Sequence, residues 1–404
     1  MVSQLRSLNV NVRVRLLTSF LSRFFGNMVY PFMSIYLTLY FSDQTAGTML
    51  LIITSAAIVM GFLSGYLADI FGKKKIIIWA QLCQTSALAV MALFNSPIFI
   101  IPSVTFMMML LQNTATALLN PAAEAMIIDD STPKNRSFIY AVDYWAMNLS
   151  IMFGSMIGGM FFNEYRFELF TLLSLSSLAV LYIMARYLTD DAPSLTGKNS
   201  VKQLLLMYGK VLQNRQFVIY CVAQLLVMSL DAQVINYVSV RLAKSFQVIV
   251  LGHEFTGIQM AGLIRTENTL IVVLMTLIVP SLTKRLGEKH LLLLGLVMYI
   301  PAFFFIIGSN NFYTLVSAVF VASIGEVFII PLSKTMLAEL STQELRGTYM
   351  ALNGFIYRGT ALLGALGVML ASTFSPYHLA CFWVGLASIG FGCYLYLLPK
   401  IKLN

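Results

Sequence analysis

Apolar stretches of this chain carry Arg23, Asp143, Asp231, Arg265, Glu267, Glu326 and Arg358, with Glu124 and Lys334 nearer the ends of such stretches. A charge inside a membrane helix costs about 2.5–3.5 kcal/mol on insertion scales, so these residues need a reason to be there. One reason is a pathway for an ion or a substrate. The competing reason is structural pairing, or a side chain that snorkels to a boundary. Asp143 sets the question most sharply. It lies in AVDYWAMN, and the LSIMFGSMIGGMFF that follows has no charge. Burial in apolar surroundings lets a carboxylate hold a proton near neutral pH. If Asp143 and the deeper Glu326 face the two aqueous sides in turn, each can load and unload a proton. Asp231, Arg265 and Glu267 could reach the midplane of their half and favour cationic ligands, with Arg265 neutralising an acid when no ligand is bound. Arg23 and Arg358 join that substrate-cavity set, as do Tyr144 and Trp145 beside Asp143. Glu124 and Lys334 hold equivalent places in the two halves with opposite charge. They could form a gating ion pair, or stand as independent boundary charges.

The elements that must position these groups are long apolar helices. The chain has 404 residues, 58% hydrophobic and only 11% charged, too little charge to cover a soluble domain. Apolar runs of about 20 residues, the length that crosses a bilayer, recur throughout. We read an all-α polytopic membrane protein with twelve transmembrane helices. The first six fall near 15–40, 46–70, 76–95, 98–121, 138–162 and 166–188; the last six fall near 216–240, 256–282, 290–308, 312–335, 347–373 and 378–398. TDDAPSLTGKNSVKQLLLMYGK is the longest polar interruption. It gives an N-terminal half at 1–190, a linker at 191–215 and a C-terminal half at 216–404.

The net charge of +9 is accounted for without nucleic acid. Lys73, Lys74, Lys75, Lys134, Arg136, Lys198, Lys202, Lys284, Arg285, Lys289 and Arg346 cluster in alternate loops with both termini, while Arg166, Arg241 and Lys244 break the pattern. The positive-inside rule then makes both termini and the linker cytoplasmic, in a cell membrane. Cys83, Cys221, Cys381 and Cys393 stand singly, and His253, His290 and His378 are isolated, so neither disulfide nor metal site is expected. No HExxH, GxSxG or P-loop pattern appears, which argues against an enzyme and against ATP-driven transport.

The halves are related. PAAEAMIIDDSTPKNR at 121–136 aligns without a gap to PLSKTMLAELSTQELR at 331–346, pairing Pro121 with Pro331, Met126 with Met336, Asp129 with Glu339 and Arg136 with Arg346. The register runs on to Gly154 and Gly364. A second echo links GYLADIFGKKK at 65–75 to PSLTKRLGEKH at 280–290. Two parallel six-helix halves related about the membrane normal are a transporter architecture with a central site and alternating access.

GYLADIFGKKK resembles the signature of the major facilitator superfamily, with Gly65, Asp69, Gly72, Lys73 and Lys74 on the pattern and Ile70 where an arginine is usual. The resemblance implies a conformational latch in which Asp69 meets a helix N-terminus of the other half, an arrangement the helix dipole favours. AMIIDDSTPKNR, VDYWAMNLS and IGEVFIIP resemble the LmrP-type proton-coupled multidrug exporters over nearly the whole chain. That likeness points to Asp143 and Glu326 as proton-coupling residues, and adds Asp129, for which gating or loop capping is an equal alternative. Ile235 and Gln259 stand where that type carries an acid and a base. The chain is therefore read as a proton/drug antiporter exporting lipophilic, cationic compounds. The alternative is an exporter or flippase of one lipid-like or peptide-like substrate. Protons are the coupling ion, no other cofactor is expected, the partners are small lipophilic substrates and membrane lipids, and the chain is read as a monomer.

Overall fold

The structure, a computed structural model, describes residues 8–189, 201–250, 252–276, 278–342 and 345–400. It divides into two compact units, Met1–Tyr40 with Met49–Lys198, and Phe41–Thr48 with Asn199–Asn404. The short segment 41–48 groups with the second unit, which the sequence boundaries did not anticipate.

The first unit is built from α1 (Val10–Asn27), α2 (Met33–Tyr40), α3 (Asp43–Phe71, of which the part from Met49 belongs here), α4 (Lys73–Leu93), α5 (Pro102–Asp129), α6 (Pro133–Phe161) and α7 (Arg166–Tyr187). The second contains α8 (Val201–Leu212), α9 (Arg215–Gln233), α10 (Ser239–Ser245), α11 (Gly257–Thr276), α12 (Val279–Leu286), α13 (Glu288–Gly308), α14 (Phe312–Leu340), α15 (Arg346–Leu370) and α16 (Pro376–Leu397). A hairpin of β1 (Gln247–Val250) and β2 (His253–Thr256) precedes α11, with Gly252 at φ 81° in its turn. We read 241–255 from sequence as a loop. A glycine that takes positive φ without steric cost lets the chain close into strands there.

Among the described residues, eight helices are long and apolar enough to cross a membrane. Helices α1, α5, α6 and α15 are not among them. These carry Arg15 and Arg23; Gln112, Asn120 and Glu124; Asp143; and Asn353 and Arg358. Asp231, Arg265, Glu267 and Glu326, by contrast, lie on α9, α11 and α14, which are among the eight, and the expected count of twelve is not confirmed. Proline divides two of the expected spans. Pro31 sits in a short turn, Tyr30–Phe32, between α1 and α2, and Pro280 opens α12 just after α11. Each removes an N–H that a continuous helix would need.

Helix starts are locally encoded. Thr132 and Asn135 form a reciprocal cap at α6, with Pro133 at its first turn. Asn311 accepts from the Thr314 backbone N–H at 3.0 Å to open α14. Gly72 and Gly287, at φ 90° and 77°, precede α4 and α13 at matching places of the repeated motif, a conformation that favours glycine.

The basic residues that break the loop-charge pattern have structural partners. Arg241 is buried and donates to the carbonyl oxygens of Ile306 at 3.2 Å and Ser309 at 2.8 Å, closing the C-terminus of α13. Arg166 lies over the rings of Tyr36 and Phe162 at 5.5 and 5.4 Å. Lys244 pairs with Asp43 inside the second unit.

Each unit is drawn tight by an equivalent glycine. A Cβ on Gly154 would fall 2.7 Å from both the Asn27 side chain and the Phe24 carbonyl oxygen. One on Gly364 would fall 2.6 Å from Asn236 Nδ2 and 2.8 Å from the Ala232 carbonyl oxygen. Small residues at these crossings bring two helix backbones together. A Cβ on Gly65, by contrast, would meet nothing within 4 Å. Gly154→Ala and Gly364→Ala are therefore expected to destabilise by about 1–3 kcal/mol, the usual cost of overpacking. Gly65→Ala should leave stability unchanged or slightly raised. Thermal unfolding of the three detergent-purified variants checks this, and a loss at Gly65 equal to the others would refute it.

Candidate functional site

The polar residues of α1 recur at helical spacing. Arg15, Thr18, Ser19, Ser22, Arg23, Gly26 and Asn27 line one wall of a cavity of about 540 Å³ inside the first unit. Helices α4 and α5 supply the facing side chains, among them Gln84, Gln112, Thr116 and Glu124, and α6 supplies Asp143. The amides are tied together. Gln84 Nε2 donates to Thr116 Oγ1 at 2.9 Å, and Gln112 Nε2 donates to the Tyr30 hydroxyl at 2.9 Å. Such satisfaction is what polar groups in an apolar helix require.

Asp143 has a partner. Arg23 Nη1 donates to Asp143 Oδ1 at 2.8 Å, and the pair is partly accessible, at 36% and 26%. The sequence placed Arg23 among substrate-cavity residues and Asp143 among proton carriers; the structure joins them, α1 to α6. Glu124 accepts from the Tyr140 hydroxyl at 2.7 Å. Asp129 lies outside the cavity, exposed and paired with Lys73. Tyr144 and Trp145 are exposed on α6 and do not line this cavity. Gly65 and Gly72 flank the end of α3, Lys74 opens α4, and the side chain of Asp69 lies outside the described residues. The first part of the linker, 191–200, is likewise outside them, and Val201–Leu212 of the rest forms α8.

In the second unit a different acid holds the centre. Asn268 Nδ2 donates to Glu326 Oε2 at 2.7 Å and lies 3.1 Å from Ser323 Oγ. Arg265, one turn before Asn268 on α11, is within electrostatic reach of both Asp231 on α9 and Glu326 on α14. The helix after Asp231 widens into a π-helical turn, Val234–Val238. Such turns often accompany functional sites. The sequence grouped Asp231 and Arg265 with Glu267, whereas the structure groups them with Glu326 and Asn268. Residues two apart point to nearly opposite sides of a helix, and three apart share a face. Glu267 keeps one buried carboxylate oxygen without a partner among the described residues. Arg358 is half-buried on α15, and Lys334 is exposed on α14. A pair between Lys334 and Glu124, which belong to different units, stays an expectation of the sequence.

Two residues escaped the sequence reading. Arg15 stands at the edge of the first expected span, 15–40, and its spacing from Ser19, Ser22 and Arg23 marks a polar stripe. Asn268 went unnoticed because it carries no charge and follows the charged Arg265 and Glu267.

A family model for the Major Facilitator Superfamily matches residues 15–258 and 232–402. The chain belongs to the major facilitator superfamily. It is therefore a multi-pass membrane transporter, and a family of transporters supports a role other than enzymatic. Among relatives of this superfamily member, the Na(+), Li(+), K(+)/H(+) antiporter of Planococcus maritimus is 26% identical, over 92% of this chain and 92% of that protein. The multidrug resistance protein MdtH of Klebsiella pneumoniae is 26% identical, over 76% of this chain and 72% of its own. A POT family transporter solved with 5-aminolevulinic acid superposes with a TM-score of 0.75 at 12% identity, covering 99% of this chain and 100% of that one. At that identity the likeness concerns the fold.

The Arg23–Asp143 pair generates a test. Breaking either partner leaves a lone charge among apolar helices, which costs more than removing both. Asp143→Asn and Arg23→Gln should each lower the yield of monodisperse protein. The double variant should recover most of it, as read by fluorescence-detected gel filtration. Additive losses would mean that the pair contributes no stability.

Proposed function

We propose that the chain is a proton-coupled antiporter of the LmrP type that exports lipophilic cations by alternating access, with Glu326 and Asp143 carrying the protons. The observation that carries this reading is the Glu326 carboxylate, held by Asn268 at 2.7 Å with Arg265 and Asp231 in electrostatic range. Two acids and one arginine leave a negative excess when both acids are ionised. A cationic substrate supplies the missing charge. A proton on Glu326 supplies it equally, so substrate and proton compete for one electrostatic position. That competition is antiport in its simplest form. Asp129 with Lys73, and the Gly65–Lys74 motif containing Asp69, serve the latch that alternates access. The protein works as a monomer in the cell membrane with both termini cytoplasmic.

Energetics permit this. A proton-motive force of about 150 mV supplies roughly 3.5 kcal/mol per proton. That sustains a gradient of several hundredfold for a neutral substrate, or for a cation when a further proton balances the charge.

A second reading rests on the antiporter relative from Planococcus maritimus, named for Na(+), Li(+) and K(+) and aligned over 92% of this chain. In it the cation is inorganic, and the oxygens of Asp231, Glu326 and Ser323 are its natural ligands. Specific export of a lipid-like or peptide-like compound has no comparable observation behind it.

One experiment separates them. Purified protein in liposomes under an imposed pH gradient is challenged with tetraphenylphosphonium, Na⁺, K⁺, Li⁺ and a fluorescent phospholipid, and proton release is followed by a pH-sensitive dye. The lipophilic cation should discharge the gradient and the alkali ions should not; the reverse outcome installs the second reading. Glu326→Gln should abolish proton-coupled uphill movement while leaving binding of the cation measurable. Uphill transport by that variant at the wild-type rate would remove Glu326 from the mechanism.

A further inference from the structure

We propose that the cavity of the first unit holds an oxyanion-binding subsite centred on Arg15, which takes the carboxylate or phosphate group of a small ligand. Arg15 lines the cavity and is only 6% exposed. Its Nε is buried without a hydrogen-bond partner, and no carboxylate among the described residues lies within 4.0 Å of its guanidinium.

Other arginines show what a structural role looks like in this chain. Arg241 and Arg166 also leave Nε unpaired, yet their terminal nitrogens are engaged. Those of Arg241 hold Asn310 and the carbonyl oxygens of Ile306 and Ser309; Arg166 Nη1 donates to the Tyr40 hydroxyl at 3.1 Å. Arg23 is matched by Asp143. Among the described residues Arg15 has no such partner on any nitrogen. A buried guanidinium N–H left without an acceptor is costly.

The acids nearby do not fill the place. Asp143 is held by Arg23, and Glu124 takes the Tyr140 hydroxyl; both act on Arg15 only through space, as does the like charge of Arg23. Ser19 and Ser22 lie one and two turns along α1 and bring hydroxyls to the same wall. A planar guanidinium offers a carboxylate or phosphate two parallel hydrogen bonds, and hydroxyl donors complete the shell. The cavity, at about 540 Å³, has room for a group of that size with its attached carbon frame. The subsite stands apart from the cation position at Glu326, which lies in the other unit.

The test needs no gradient, so it is independent of proton coupling. Full-length protein in nanodiscs of pure phosphatidylcholine is titrated with benzoate, inorganic phosphate and, as a control, benzylamine. A parallel sample carries phosphatidic acid in the nanodisc. Benzoate or phosphate should raise the unfolding midpoint of wild type, and benzylamine should not. Arg15→Gln should weaken that binding by about tenfold or more, the worth of a lost charge-assisted hydrogen bond. Arg15→Lys should recover only part of it, because the fork is gone. Response to the free ions identifies an aqueous solute; response to phosphatidic acid alone identifies a lipid headgroup. Should Arg15→Gln fail to fold, phenylglyoxal labelling of wild type is read at the Arg15 peptide, where benzoate or phosphatidic acid should protect it. Absence of any anion effect on wild type, an equal effect in Arg15→Gln, or labelling that no anion slows would overturn the subsite.

Discussion

A charge or amide among apolar helices must find its partner within the protein, because lipid offers none. The rest of the structure follows from how that demand is met. Where the polar residue is structural, its partner is fixed and local: Arg241 closes the end of α13, and Arg166 lies on two aromatic rings. Where polar residues share a helix face, they open a cavity, as α1 does in the first unit. The helices that carry such faces are less apolar, and α1, α5, α6 and α15 are not among the eight with a clear spanning signature.

The repeat separates what the fold needs from what the chemistry needs. Pro121 and Pro331 lie inside α5 and α14, and Gly154 and Gly364 each admit a neighbouring backbone in their own unit. Those are scaffold positions, and both copies keep them. The charges differ. In the same ungapped register Asp143 corresponds to Asn353, and Glu326 to Thr116. Each unit therefore carries its helix-borne acid where the other carries a neutral polar group. Asn353 donates to Gln224, and Thr116 accepts from Gln84, so the neutral counterparts are knitted into amide networks. Duplicated geometry thus carries unlike charges in the two halves.

Legibility followed the same division. Apolar length, loop charge and the glycines and prolines of the repeat are written locally, so the helices and their order could be read from them. Gly72 and its repeat counterpart Gly287 both take positive φ, the conformation that a glycine at a helix junction permits. Partner choice was not legible. Arg23 and Asp143 are far apart in sequence, and nothing in either local segment says that α1 crosses α6 at that level. Helical phase explains the misgrouping of Glu267: it sits two residues from Arg265 and turns away from it, whereas Asn268 turns toward Glu326. Arg15 was hidden by its address. A basic residue at the edge of the first apolar run satisfies the loop-charge rule, and the helix that begins at Val10 carries it inward.

The two acids differ in what protonation does to their surroundings. Asn268 is a neutral donor, and it can hydrogen-bond to the oxygen of Glu326 whether that carboxyl is ionised or not. A proton can come and go there with the local geometry kept. Arg23 holds Asp143 through charge as well as a hydrogen bond, and the attraction between them ends when Asp143 is neutral. Protonation there frees an arginine, loosens the tie between α1 and α6 and alters the electrostatics of the cavity that Arg15 lines. An acid with a neutral partner suits storage of a proton beside a cation position. An acid with a charged partner suits conversion of a proton into a movement of helices. On the proposed antiport mechanism a transporter needs both kinds, and the asymmetry between Asn268–Glu326 and Arg23–Asp143 would provide them on two copies of one scaffold.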